Sequence, residues 1–288
     1  MRSAILFLCC AGVFACSKKP ATELEPLEKA AADEDAVSQF TIGERYANGT
    51  GVPEDKVKAV EWFQKAAAQG NANAQSKLGV MYRTGTGVPK DEAKAFEWYQ
   101  KAAAQGDAFA QSNLGSMYEQ GSGVPKDEAK AFEWYQEAAV HGNAFVQSKL
   151  GLMYAKGTGV PKDEAKAAEW FHKAAAQGNA FAQSKLGLMY DLGTGVPKDE
   201  AKAAEWFQKA AAQGDANAQS MVGLMYSQGT GVPKDDVRAY AWFNLAAANN
   251  DQDATKARDE MERRLTLEQK AEAQKLSAEL FEKIKERQ

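Results

Sequence analysis

Cysteine, histidine and serine are the side chains that could give this 288-residue chain a reactive centre, and each stands where its usual chemistry fails. The three cysteines, Cys9, Cys10 and Cys16, all fall within the first sixteen residues, so the rest can hold neither a disulfide framework nor a thiolate metal site. A zinc hydrolase needs clustered ligands and an open coordination position, which two separated histidines, His141 and His172, do not supply. A serine nucleophile of the Ser-x-x-Lys type needs a lysine one helical turn later, and no Ser-x-x-Lys occurs. Gly85-Thr-Gly-Val-Pro-Lys90 resembles a phosphate loop only in its glycines, because the Gly-Lys-Ser/Thr ending and the preceding strand are missing. With 35 basic against 39 acidic side chains the net charge is -4, which weakly repels phosphate backbones. The residues therefore point away from an enzyme, a cofactor, a small-molecule substrate and a nucleic-acid partner.

The elements that would position any site are written in a period. Trp62, Trp98, Trp134, Trp170, Trp206 and Trp242 are separated by 36 residues every time, and Pro53, Pro89, Pro125, Pro161, Pro197 and Pro233 keep the same step. A fixed period of this length means stacked supersecondary units, each touching its neighbours. The units are 35–70, 71–106, 107–142, 143–178, 179–214 and 215–250. In the second, Ala74, Leu78, Met81 and Tyr82 share one helical face. Gly85-Thr-Gly87 and Val88-Pro89 must end that helix. Asp91 suits the cap of a second helix carrying Ala95, Trp98, Ala102 and Ala103. The fold class expected is all-α, an α-solenoid of six 36-residue helix-turn-helix repeats. The six tryptophans are read as structural rivets between units, and removing one buried ring should cost about 3–5 kcal/mol. Against this period, His141 and His172 occupy places where the second unit has Gln105 and Gln100, and read as exposed polar variants. Residues 251–288 leave the repeat and read as C-terminal capping helices, Thr266-Leu-Glu-Gln269 opening the last one with Leu276, Leu280 and Ile284 on one side.

At the other end, Arg2 and the apolar run to Ala15 are too short to span a bilayer and read as a signal peptide over 1–15. Val13-Phe-Ala15-Cys16 resembles the lipobox of bacterial lipoproteins, which implies a lipidated Cys16; ordinary signal peptidase cutting at the same bond would leave a free thiol. Residues 16–34 then carry the anchor and a tether. By resemblance to lipoprotein sorting rules, Ser17 implies the outer membrane, facing the periplasm, with a secreted form as the alternative.

Leu78-Gly-x-x-Tyr82, Gly85-x-Gly-Val-Pro, Asp91-x-x-x-Ala95-x-x-Trp98 and Ala102-Ala-Ala-Gln-Gly106, repeated in register, resemble the Sel1-like repeat (SLR) family, relatives of tetratricopeptide repeats. The resemblance implies a right-handed superhelix of antiparallel helix pairs whose concave side holds proteins or peptides. It also implies that the concave side is built from the first helix of each unit. Some cysteine-rich relatives have been described as β-lactamases, and the Ser-x-x-Lys, Ser-Asp-Asn and Lys-Thr-Gly set is incomplete here.

On that first helix, unit positions 3, 6, 10, 13 and 14 oppose the Leu/Tyr core face. They place Phe109, Phe145 and Phe181 beside Leu152, Leu188 and Leu224, with Arg83, Glu119, Lys156 and Asp191 at the edges. An apolar strip with a charged rim suits a peptide-binding groove, because anchors give affinity and the rim gives register. The same side chains could instead wedge adjacent units together. The function expected is a non-catalytic protein-interaction scaffold of the cell envelope. The alternatives are a β-lactamase-like or cell-wall hydrolase and a secreted factor acting on a host.

Overall fold

Repeat four shows why each unit becomes two helices. Asn143 accepts hydrogen bonds from Phe145 N and Val146 N at 2.9 and 3.2 Å, which caps Ala144–Lys156. The helix stops at Gly157, whose φ of 73° lies in the left-handed region that a side chain would resist. Asp163 then accepts from Lys166 N at 3.0 Å and opens Glu164–Ala176. Gly159, also at positive φ, lies so close to the preceding repeat that a Cβ would fall 2.0 Å from Glu128 O. The turn glycines thus end a helix and also seat one repeat on the next.

The computed structural model describes residues 35–249 and 251–286; the signal segment 1–15, Cys16 and the tether to residue 34 lie outside them. First helices of the six repeats are α1 (Ala36–Asn48), α3 (Ala72–Thr84), α5 (Ala108–Gln120), α7 (Ala144–Lys156), α9 (Ala180–Leu192) and α11 (Ala216–Gln228). Second helices are α2 (Lys56–Ala68), α4 (Glu92–Ala103), α6 (Glu128–Ala139), α8 (Glu164–Ala176), α10 (Glu200–Ala211) and α12 (Asp236–Ala247). α13 (Gln252–Arg264) and α14 (Leu267–Lys285) complete an all-α fold with no strand among the described residues. Two compact units divide the chain, Met1–Ala102 and Ala103–Gln288. Within each, neighbouring helix pairs pack in a solenoid-like stack.

The tryptophans read as rivets pack at the edge of the core, Trp98, Trp170 and Trp206 among them, and the deepest seat falls to another ring. Trp62, Trp98, Trp134, Trp170 and Trp206 are half-buried, and only Trp242 is buried. The deep ring belongs to the next residue: Phe63, Tyr99, Tyr135, Phe171, Phe207 or Phe243. Each of these rings lies against a helical glycine of its own repeat, from Gly43 to Gly223, where a Cβ would come within 2.5–2.9 Å of ring carbons. Glycine costs the helix up to about 1 kcal/mol relative to alanine, which a buried ring worth about 1.5–3 kcal/mol outweighs. Four of the tryptophans instead carry a lysine over the outer ring face, as with Lys173 Nζ 4.0 Å from the Trp170 centroid.

The C-terminal helices cover the last repeat. Asp251 falls on the 36-residue register of the N-cap residues and accepts from Ser220 Oγ at 2.9 Å, so α13 enters as a seventh first helix without the repeat's other residues. Thr266 and Gln269 form a reciprocal capping box at the start of α14. Leu276, Leu280 and Ile284 turn toward Tyr226 and Trp242, and Ser277 Oγ donates to Ala241 O at 3.3 Å. No described helix is long and apolar enough to cross a membrane.

Candidate functional site

Helix periodicity separates two faces of α7: Leu150, Met153 and Tyr154 are buried, while Phe145 at the first turn is 55% exposed. The same register leaves Phe109 on α5 54% exposed and Phe181 on α9 41% exposed. Leu188 on α9 and Leu224 on α11 stand out to 38% each, and Leu152 on α7 is half-buried. Phe181 also meets the buried Phe171 edge-on, with ring centroids 6.3 Å apart, so one ring edge contributes to packing while the remainder faces solvent.

Between α7 and α9 the aliphatic groups line a cleft of about 250 Å³, formed by Leu152, Leu188 and Leu192 with Lys156 and Lys185 at its edge. Glu119, at the end of α5, is held from two sides. It accepts from the Tyr135 hydroxyl at 2.9 Å and pairs with Lys149 Nζ at 3.0 Å, linking repeats three and four. Burial, and after it the Glu119 carboxylate, holds the Tyr135 phenol protonated far above its usual range. A hydrogen bond to Glu200 and that carboxylate's charge, and after them the charge of Asp191, half-buried on α9, raise the Lys198 ammonium above its ordinary value. Arg83 lies half-buried in the last turn of α3 and belongs to the Met1–Ala102 unit, whereas the other nine predicted residues belong to Ala103–Gln288.

Lys149 and Lys185 are members of this face that the sequence reading passed over. Each sits four residues after an exposed phenylalanine, with Nζ 5.8 Å from the Phe145 centroid and 5.2 Å from that of Phe181. The i, i+4 spacing of a cation after an aromatic residue was the available signal. His141 and His172 are exposed, the latter edge-on to Trp206 at 5.8 Å. Among the described residues no group of three or more His, Cys, Asp or Glu could hold a metal ion.

The Sel1 repeat family model matches six times, at 36–71, 72–107, 108–143, 144–179, 180–215 and 216–251. The chain belongs to the Sel1 repeat family. These Sel1 repeats begin one residue after the units read from the tryptophan period. Among solved structures, this Sel1 repeat chain is similar to a Sel1 repeat protein from Oxalobacter formigenes, 32% identical over 77% of this chain and 94% of that one, with a TM-score of 0.64. It is also similar to a protective antigen of uropathogenic Escherichia coli that displays an SLR fold: 34% identity, 91% of this chain, 72% of that chain, TM-score 0.42. Cysteine-rich protein B of Helicobacter pylori is 30% identical over 46% of this chain and 95% of that one, with a TM-score of 0.37. No curated protein matches it. Sel1 repeat proteins are generally non-catalytic scaffolds that bind other proteins.

Proposed function

We propose that this Sel1 repeat protein is a non-catalytic scaffold of the bacterial cell envelope that captures a peptide or protein segment on the face formed by α5, α7, α9 and α11. The observation that carries the reading is the concentration of exposed large apolar side chains on these four helices: Phe109, Phe145, Phe181, Leu188, Leu192 and Leu224. Scattered apolar residues are normal on any surface, but a strip repeated on the first helices of successive repeats around an apolar cleft suits docking. In intact cells, crosslinking followed by mass spectrometry should recover a partner with the wild type and lose it with Phe145→Asp/Leu188→Asp. The double variant should keep its helical circular dichroism and melting temperature; equal loss of folding would make these side chains wedges between repeats. Turnover of a chromogenic β-lactam by the purified protein would overturn the non-catalytic reading.

The envelope placement rests on the Ala15-Cys16 junction, with lipid on Cys16 holding the scaffold at the membrane on its periplasmic side. Incorporation of labelled palmitate should disappear in Cys16→Ala, and equal labelling of both would remove the anchor.

A further inference from the structure

We propose that the segment held at the α7/α9 cleft is acidic: a peptide that seats aliphatic side chains between Leu152, Leu188 and Leu192 and sets carboxylates on Lys156 and Lys185. This rests on the docking reading of the same face.

The charges of repeats four and five carry it. On the turns and second helices, lysines are matched locally: Lys162 with Glu164 at 2.7 Å, Lys166 with Asp163 at 3.5 Å, Lys198 with Glu200 at 2.9 Å and Lys202 with Asp199 at 3.1 Å. Lys173 and Lys209 lie over tryptophan rings. On the docking face, Lys149 is neutralised by Glu119. Lys156 and Lys185 differ, since among the described residues neither has a carboxylate within ion-pair distance, and Lys185 has only the Phe181 ring beside it. Glu164, the acidic side chain that lines the cleft, is held by Lys162. A chain of net charge -4 therefore leaves two uncompensated cations at the rim of its apolar cleft. Rim charges of one sign select partners of the other and speed their encounter. The apolar strip continues past the cleft to Phe145 at the start of α7 and to Leu224 on α11, which favours a polymer with several anchors over a single small anion.

The test is selection of a displayed library of random peptides on the full mature chain, repeated on Lys156→Glu/Lys185→Glu and on Leu188→Asp, with circular dichroism confirming each fold. Wild-type selection should enrich Asp and Glu beside Leu, Ile or Met. Charge reversal should weaken those peptides about tenfold, with the loss shrinking at high salt, and should turn new selections toward Lys and Arg. Peptides lost on Leu188→Asp but indifferent to the lysine reversals would overturn the acidic partner and leave the docking face standing. Peptides indifferent to Leu188→Asp, or none selected at all, would overturn both.

Discussion

At the scale of single residues, a buried glutamine shows how one substitution in a repeat leaves a cost elsewhere. Gln147 and Gln183 are buried in their first helices, and their Oε1 atoms accept from Gln177 and Gln213 Nε2 at 2.7 Å each; Gln39 accepts likewise from Gln69 at 2.8 Å. In repeat three the donor position is His141, in repeat six Asn249, whose amide turns to Leu245 O instead. Those are the repeats in which Gln111 and Gln219, 6% and 2% exposed, have an Oε1 that accepts no hydrogen bond from the protein. A buried polar atom left without its partner costs about 1–3 kcal/mol, and a restored hydrogen bond contributes about 1 kcal/mol. His141→Gln and Asn249→Gln should each raise stability by about 1 kcal/mol, and together additively because the sites share no partners. Denaturant midpoints measure this, and unchanged midpoints would show that these oxygens are already satisfied by solvent. The period alone made His141 legible as a variant of an exposed position, and it is exposed. Its effect on Gln111 was hidden, because the two positions are 30 residues apart and meet only once the helices pack. The same limit explains the tryptophans: spacing fixes which residues recur, whereas burial is decided by the helical glycine opposite, which favours the neighbouring ring.

At the scale of elements, the caps explain both what was legible and how the protein should respond to acid. First helices are capped by either Asn or Asp, but every second helix begins after an aspartate, from Asp55 to Asp235. At Asp91, Asp127, Asp163 and Asp199 the main cause that lowers the carboxyl from 3.8 is the backbone amide three residues on, joined by the lysine at that position. A carboxyl lowered in the folded state stabilises it above the unfolded value, and that contribution is lost as pH falls through the folded value. The melting temperature should therefore drop progressively below about pH 4. Replacing the four aspartates by asparagine keeps a capping acceptor and removes the titration. The variant should melt lower at neutral pH but lose less on acidification, and parallel pH profiles for the two proteins would sink this account. Caps and turns were readable because they are local chemistry within four residues. The proposed docking face was readable only as positions, since whether Phe181 is exposed depends on Phe171 of the preceding repeat.

At the scale of the whole molecule, a 36-residue register means that every repeat junction within the Ala103–Gln288 stack resembles the next, so stability should be a sum of repeat and nearest-neighbour terms that falls when a whole repeat is removed without any surviving junction being broken. Excising residues 143–178 tests this directly, because α6 would then meet α9, whose sequence repeats that of α7 at most positions, including the Asn cap, Gln183, Leu186 and Gly187. The shortened chain should fold, keep its ellipticity per residue and melt cooperatively at a lower temperature. It should also stop binding its partner, having lost Phe145, Leu152 and Lys156 together. Excising only 143–160 removes α7 and its turn, leaves Phe171 without Gly151 to pack on, and places two second-type helices in succession. That chain should expose its aromatic core and aggregate. If both deletions fold equally well, the register does not govern stacking; if both collapse, the repeats are not interchangeable neighbours. Folding retained with binding lost in the full-repeat deletion is the combination that separates the surface from the scaffold that carries it.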